Sequence, residues 1–152
     1  MLDLHQGDGL TVVFWVKTNV QNVEQTFGAK YNSVGSGGWH ITQTVSGHAY
    51  FAGRAPGAYV YNDSSDAILN DNQWHLVVGM INGSSWTIWV DGSLQRTVTG
   101  TQNPSMNNSD PFVIGCHIDV SQRASYWEGD IDDISIYNRA LSAAEITTLF
   151  NQ

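Results

Sequence analysis

Residues 74–92 read WHLVVGMINGSSWTIWVDG and determine the fold class of the chain. The first limb, residues 74–81, is dominated by Leu, Val, Met and Ile and is too short for an ordinary helix, which predicts a strand. The Asn-Gly-Ser-Ser turn at residues 82–85 reverses the chain into a second strand, residues 86–90. Asp-Gly then turns it again into residues 94–99. The stretch therefore predicts a three-stranded antiparallel meander, and the first strand is apolar on both faces, as inside a layered fold.

Short runs rich in Val, Ile, Tyr and Trp recur along the rest of the chain at intervals of about ten residues, separated by Gly-rich and Ser-rich turns. This spacing is typical of an all-β sandwich or barrel. The further predicted strands are residues 10–18, 26–31, 39–44, 48–53, 58–62, 112–117 and 129–137.

One helix is predicted at the end of the chain, over residues 143–150. Ser142 and Glu145 have the spacing of a capping box, and Leu141 and Ile146 that of a hydrophobic staple. The apolar face of this helix is expected to dock on the sandwich and seal an edge.

Composition limits the classes of partner. The 152 residues are expected to form one domain, and the formal net charge of -8 comes from 14 acidic and 6 basic residues. This charge disfavours nucleic acid and an anionic membrane surface, and suits glycans, basic partners or a divalent cation. No apolar run reaches the length of about 18 residues that a transmembrane helix needs. Cys116 is the only cysteine, so no intramolecular disulfide can form, and we expect it in the core.

Three segments together resemble a known family. They are LTVVFWVKTN at residues 10–19, Trp-His at 74–75 followed by WVDG at 89–92, and GDIDDISIYNRALS at 129–142. They are similar to the laminin G-like, concanavalin A-like lectin/glucanase jelly-roll modules that are often appended to bacterial secreted proteins. The resemblance implies a two-sheet antiparallel jelly-roll sandwich with a short C-terminal helix, as a secreted or cell-surface module of a larger protein.

The amino-terminal end departs from the family pattern. Members usually carry a further strand about twenty or more residues before the FWVK-like strand, whereas only residues 1–9 precede it here. Within the single domain 1–152, the first strand is therefore expected to be absent or shortened to residues 2–4. An absent strand would leave a sheet edge unprotected, or that sheet would borrow a strand from a neighbour.

The acidic segment Glu128-Gly-Asp130-Ile-Asp132-Asp133 is the best candidate for a metal site. Calcium takes six to eight oxygen ligands, which a strand end crowded with carboxylates can supply in part. The family resemblance implies that Asp132, together with backbone carbonyls of the amino-terminal strand, binds the ion. The alternative is that Asp132 and Asp133 hydrogen-bond backbone amides and bind nothing.

Aromatic residues suggest sugar binding, because their faces stack on pyranose rings. Trp15, Trp74 and Trp89 lie in strongly apolar strands and are expected in the core. Other aromatic residues stand beside Gly, Ser or Asn and are expected to be able to face solvent, with polar residues nearby as hydrogen-bonding partners. These candidate ligand-binding residues are Trp39, Tyr59, Tyr61, Trp86, Asn62, Asp63 and Arg123.

Catalysis is not expected. Glycoside hydrolysis needs a suitably spaced pair of carboxylates, and the only acidic residues at i, i+2 on a predicted strand are Glu128, Asp130 and Asp132. The paired-glutamate pattern of the family's hydrolases is absent. The histidines are scattered without zinc-ligand spacing, and we expect His75 to be a structural residue with a satisfied ring.

Two functional hypotheses remain. The first is a non-catalytic, lectin-like module that binds a glycan or polysaccharide, with calcium as the expected ion. The second is a structural, adhesion or protein-interaction module that binds a surface protein and has no sugar site. The second predicts that Trp39, Tyr59, Tyr61 and Trp86 are all buried.

Overall fold

A computed structural model describes residues 9–31, 37–55, 58–61, 65–99, 108–119 and 122–152, with the backbone alone at 54–55 and 58–61. The strands are β1 Leu10–Lys17, β2 Gln25–Tyr31, β3 Gly38–Gln43, β4 Ala49–Ala55, β5 Ala58–Tyr61, β6 His75–Asn82, β7 Ser85–Val90, β8 Ser93–Thr99, β9 Val113–Ile114, β10 His117–Asp119, β11 Gln122–Ala124 and β12 Asp130–Tyr137, and the helix α1 is Ala143–Phe150.

The described strands form two five-stranded antiparallel sheets and a two-stranded ribbon. Sheet I has the order β12-β1-β6-β7-β8, and sheet II has the order β5-β4-β3-β2-β9. β10 and β11 pair with each other as the ribbon. The predicted meander is confirmed, because β6, β7 and β8 are neighbours in sheet I. The two-sheet jelly-roll class is confirmed with it.

The main core lies between the two sheets and is filled chiefly by inward residues of β1, β2, β3, β4, β6 and β7. From β1, the inward residues are Val12, Phe14 and Val16, all with no exposed surface. The larger inward residues of the other strands include Phe27, Trp39, Ile41, Phe51, Val77, Trp86 and Ile88. Alternation in a strand places the intervening residues on the opposite, outer face of the sheet.

The outer face of sheet I is covered in part by α1. Ile146 of the helix is buried against Val13, Leu76 and Val78 in a second apolar cluster. The capping box is present, since the Ser142 side chain accepts from the Glu145 amide and the Glu145 carboxylate accepts from the Ser142 amide. Within the described residues, no helix is long and apolar enough to cross a membrane.

The structure differs from the sequence prediction in two elements. The predicted strand 112–117 is broken at Gly115, which has a φ of 73°, so the chain forms β9 and then enters the ribbon of β10 and β11. The helix covers the face of sheet I rather than sealing an edge. Cys116 is buried as expected. The predicted short strand at residues 2–4 lies outside the described residues.

Candidate functional site

A groove of about 570 Å³ opens on the outer face of sheet I, beside the last turn of α1. We call it the outer-face groove. Its walls combine aromatic and aliphatic side chains with a small number of polar groups, the composition that is usual in ligand sites. The lining residues are Val13, Trp15, Trp74, Leu76, Asp132, Asp133, Ser135, Tyr137, Leu149 and Gln152.

The register of three strands builds the floor of the groove. Trp15 on β1 is the direct partner of Asp132 on β12 and of Leu76 on β6. One residue separates Val13 from Trp15 on β1, whereas two separate their partners Ser135 and Asp132 on β12. This irregularity is a β-bulge, which re-aims side chains locally. Asp133 occupies the bulge with a φ of 45° and lines the groove together with Asp132.

Trp74 forms one wall and is 42% exposed. The turn that precedes it is fixed by Asp71, whose Oδ1 accepts a 2.8 Å hydrogen bond from the Gln73 amide and lies 3.1 Å from His75 Nε2. The other ring nitrogen, His75 Nδ1, lies 2.8 Å from Asp91 Oδ2. The ring of His75 is therefore satisfied on both sides, as expected, and it holds the backbone next to Trp74.

The electrostatic environment of this clamp favours a charged imidazole. The hydrogen bond to Asp91 is the largest cause that raises the pKa of His75; partial burial opposes it and Asp71 reinforces it. The pKa of Asp71 is lowered: burial opposes this shift, but hydrogen bonds from Gln73 and His75 outweigh it.

Trp15 is oriented from the helix side. Its ring stacks on Phe150 of α1, with centroids 6.0 Å apart and ring planes 20° apart. The indole remains half-buried and lines the groove. The helix therefore fixes the Trp15 indole, whereas the Asp71 turn fixes the backbone beside Trp74.

The charged side chains in the described lining of the groove are all negative. Its described lining contains Asp132 and Asp133 and no lysine, arginine or histidine. Asp132 Oδ1 accepts a 2.8 Å hydrogen bond from the Asp133 amide, and both residues are exposed. This single bond leaves acceptor capacity on both carboxylates, since an ionised carboxylate offers about four lone-pair sites.

The solvent exposure expected of two candidate ligand-binding residues is wrong. Trp39 and Trp86 were expected to be able to face solvent, but both have no exposed surface. Each packs on Phe51 in the main core, with ring centroids 6.3 Å away for Trp39 and 5.0 Å away for Trp86. Small or polar sequence neighbours, Gly38 before Trp39 and Ser85 before Trp86, misled the prediction. Inside the sandwich, Gly53 of β4 makes room for the Trp86 ring.

The other predicted contacts are only partly described. Tyr59 and Tyr61 lie on β5, in register with Arg54 and Ala52, and their side chains lie outside the description. Asn62 and Asp63 lie outside the described residues. Arg123 on β11 is exposed and donates to Cys116 Sγ at 3.6 Å.

Asp132, the predicted calcium ligand, lines the outer-face groove. Among the residues that are described, no group of three or more His, Cys, Asp or Glu side chains is arranged to hold a metal ion. The described side chains therefore do not fit calcium by themselves. The carbonyls that the family resemblance implied come from the amino-terminal strand, and residues 1–8 lie outside the description. Calcium stays a prediction.

Trp74 is the principal site residue that the sequence reasoning missed. It was expected in the core because it lies in an apolar stretch, on the same face as Leu76 and Val78. In the structure this face is the outer face of sheet I, where α1 covers Leu76 and Val78 but leaves Trp74 exposed. The polar run Asp71-Asn-Gln73 directly before it was the available signal.

A second polar and aromatic cluster lies on the outer face of sheet II. The rings of Tyr31 and Tyr50 lie 5.0 Å and 5.8 Å from that of His40, and the ring of His117 lies 6.1 Å from it. His40 Nδ1 lies 2.9 Å from Thr42 Oγ1. Burial, with a smaller contribution from His117, lowers the pKa of His40 to about 4, so this ring is neutral at neutral pH.

Comparison with solved structures shows the same fold in several other proteins. The CBM40 of a Ruminococcus gnavus IT-sialidase superposes with a TM-score of 0.79 at 16% identity, over 94% of this chain and 83% of that chain. It has also been solved bound to alpha2,3 sialyllactose. A SAP-like pentraxin from Limulus polyphemus gives a TM-score of 0.69 at 15% identity, over 94% and 70% of the two chains.

A botulinum neurotoxin type C structure, whose cell entry depends on two ganglioside molecules, gives a TM-score of 0.71 at 17% identity. The match covers 96% of this chain but 36% of the toxin chain. A search of curated proteins finds no significant match. The family model described as concanavalin A-like lectin/glucanases superfamily, Laminin_G_3, matches residues 2–147. The chain therefore belongs to this laminin G-like family of the concanavalin A-like lectin/glucanase superfamily.

Proposed function

We propose that the chain is a carbohydrate-binding module that holds a glycan in the outer-face groove without cleaving it. The observation that carries the proposal is the exposed indole of Trp74 beside the carboxylates of Asp132 and Asp133. An aromatic face can stack on a pyranose ring, and carboxylates accept hydrogen bonds from its hydroxyls. These are the two kinds of contact that a sugar site needs.

The groove is held in place before any ligand arrives. Trp15 is stacked on Phe150, and the backbone beside Trp74 is fixed by the Asp71 and His75 hydrogen bonds. A preformed site loses little conformational entropy on binding, which favours affinity. The open shape nevertheless limits the buried area, so we expect modest affinity for one sugar unit and a role for multivalency.

The fold neighbours support this class of function. The R. gnavus module binds sialyllactose, and the neurotoxin interacts with gangliosides. Because a shared fold does not fix function, the proposal depends on the groove and takes the neighbours as support. By the same analogy we place the chain in a secreted or cell-surface protein.

The rival function is an adhesion or protein-interaction module without a sugar site. The burial of Trp39 and Trp86 is what this rival predicts. The exposure of Trp74, which neither hypothesis predicted, favours the glycan module because it supplies a free aromatic face beside hydrogen-bonding groups.

Affinity electrophoresis tests the proposal. The wild-type chain, Trp74→Ala and the control Tyr126→Ala are run through gels containing glycol chitosan, xyloglucan, laminarin or mucin, with calcium and with chelator. Tyr126 is exposed and lies outside the groove, so its removal controls for the loss of a surface aromatic ring. Retardation that Trp74→Ala abolishes and Tyr126→Ala retains supports the groove. If the wild-type chain is retarded with calcium but not with chelator, its glycan binding depends on calcium.

Two outcomes would contradict the proposal. Equal retardation of all three proteins would show that Trp74 is not part of the binding site. No retardation by any polysaccharide would favour the interaction module.

A further inference from the structure

The outer-face groove has a charge that discriminates among sugars. Asp132 and Asp133 line it, and Glu128 and Asp130, both exposed, continue the acidic segment along the same stretch of chain. The described lining contains no basic side chain. A glycan site does not need a net charge. The negative charge of this groove therefore indicates the charge of the sugar that it binds.

Two basic residues of the same region lie outside the groove lining. Lys17 is the register partner of Asp130 and is not part of the groove lining. Arg139 is held in a two-point contact with Glu145, with Nη1 3.1 Å from Oε2 and Nη2 2.6 Å from Oε1. Neither therefore neutralises the aspartate pair from within the groove.

A negatively charged sugar is poorly matched to this site. Sialic acid carries a carboxylate, which would lie beside Asp132 and Asp133 in a partly desolvated groove and repel them. A neutral sugar can donate hydroxyl hydrogen bonds to the two carboxylates but supplies no counter-charge. An ammonium group supplies both the hydrogen bonds and the counter-charge.

The aromatic walls favour the same choice. Indole faces attract cations, with a contribution that grows as the site is desolvated. Trp15 and Asp132 are direct cross-strand partners, so a cation in the groove meets an aromatic ring and a carboxylate at adjacent positions. We propose that the groove selects an amino sugar with a free ammonium group, of the glucosamine type. This inference rests on the proposed glycan-binding function.

Isothermal titration calorimetry at mildly acidic pH tests it with three probes. They are a glucosamine hexasaccharide, the fully N-acetylated hexasaccharide with the same backbone, and 3′-sialyllactose. The test variant is Asp132→Asn/Asp133→Asn, which keeps the Asp132 Oδ1 acceptor and places at position 133 a residue that tolerates a positive φ. The control is Glu24→Gln/Asp119→Asn, which changes the net charge equally at two exposed positions outside the groove.

We expect the glucosamine hexasaccharide to bind at least about tenfold more tightly than its N-acetylated counterpart. The preference should disappear in the test variant, persist in the control and weaken at high ionic strength. Equal or tighter binding of the N-acetylated sugar or of sialyllactose would overturn the charge selection and leave the glycan function standing. A preference that survives in the test variant would also overturn it. Failure of all three probes to bind would overturn both proposals.

Discussion

Trp15 on β1 and Asp132 on β12 are direct cross-strand partners, so an indole and a carboxylate stand side by side in the outer-face groove. The main core occupies the opposite face of the same strands. The sandwich can therefore present this pair on its outside while Val12, Phe14 and Val16 are buried between the sheets. The main core and the proposed binding groove therefore lie on opposite faces of one sheet.

Asp71 should affect binding without touching the ligand. Its carboxylate fixes the turn before Trp74, so Asp71→Ala should loosen the indole and weaken glycan binding about threefold to tenfold, as measured by calorimetry. Asp66→Ala is the matched control, since Asp66 pairs with Arg96 outside the groove. An equal loss in both variants would show that Asp71 has no specific role in the groove.

His75 should make stability decrease as the solution becomes alkaline. Its pKa is raised above the ordinary 6.5 in the folded state, chiefly by Asp91. The stabilisation is thus complete below 6.5 and is lost as the pH rises through the raised value. Urea unfolding of His75→Gln across this range should lack that loss. An unchanged pH profile in the variant would contradict the assigned ion pairs.

His40 should make the protein less stable as the solution becomes acidic. Burial lowers its pKa from 6.5 to about 4, so folding favours the neutral ring. Stability should be retained above 6.5 and fall as the pH drops towards 4, by on the order of 2 kcal/mol. His40→Gln should remove this part of the acid dependence in urea unfolding. If wild type and variant lose stability in parallel over this interval, His40 is not the group responsible.

Gly53 should be intolerant of a side chain, because a Cβ atom at this position would overlap the buried Trp86 ring. Gly53→Ala should lower the free energy of unfolding by about 1–3 kcal/mol. A double-mutant cycle with Trp86→Phe supplies the control, since the smaller ring should relieve part of the loss. Strict additivity of the two substitutions would contradict this contact.

Ser142 should stabilise the helix that covers sheet I. Its hydroxyl accepts from the Glu145 amide, so Ser142→Ala should cost about 1 kcal/mol of unfolding free energy. Glu145→Asp tests the reciprocal half of the capping box, because a shorter side chain places its carboxylate farther from the Ser142 amide. Unchanged denaturation midpoints in both variants would show that the cap contributes nothing.

The meander and the helix were predictable because local patterns encode them. The meander, its turns and the capping box each depend on residues close together in the sequence. The ribbon of β10 and β11 was not predicted, because a single glycine at position 115 ends an otherwise apolar strand. Turn geometry of this kind depends on one residue and leaves little periodic signal.

The site was harder to predict because β6 is apolar on both faces. Strand alternation places Trp74 on the same face as Leu76 and Val78. It does not show which face of the strand lies between the sheets, or how much of the other face α1 covers. Small and polar neighbours in the sequence led to the expectation that Trp39 and Trp86 could face solvent, whereas both are in the core. Asp133 entered the groove through a β-bulge, which no pattern in the sequence indicated.

The most direct test of the groove is an NMR titration of the 15N-labelled chain with the glucosamine and N-acetylglucosamine hexasaccharides. The six tryptophans give separate indole Nε1–H reporters. Binding in the groove predicts that the Trp15 and Trp74 indoles and the amides of Asp132 and Asp133 shift together, while the buried Trp39 and Trp86 indoles stay in place. Shifts confined to β3, β4 and β11, or no shifts with either sugar, would contradict the proposed site.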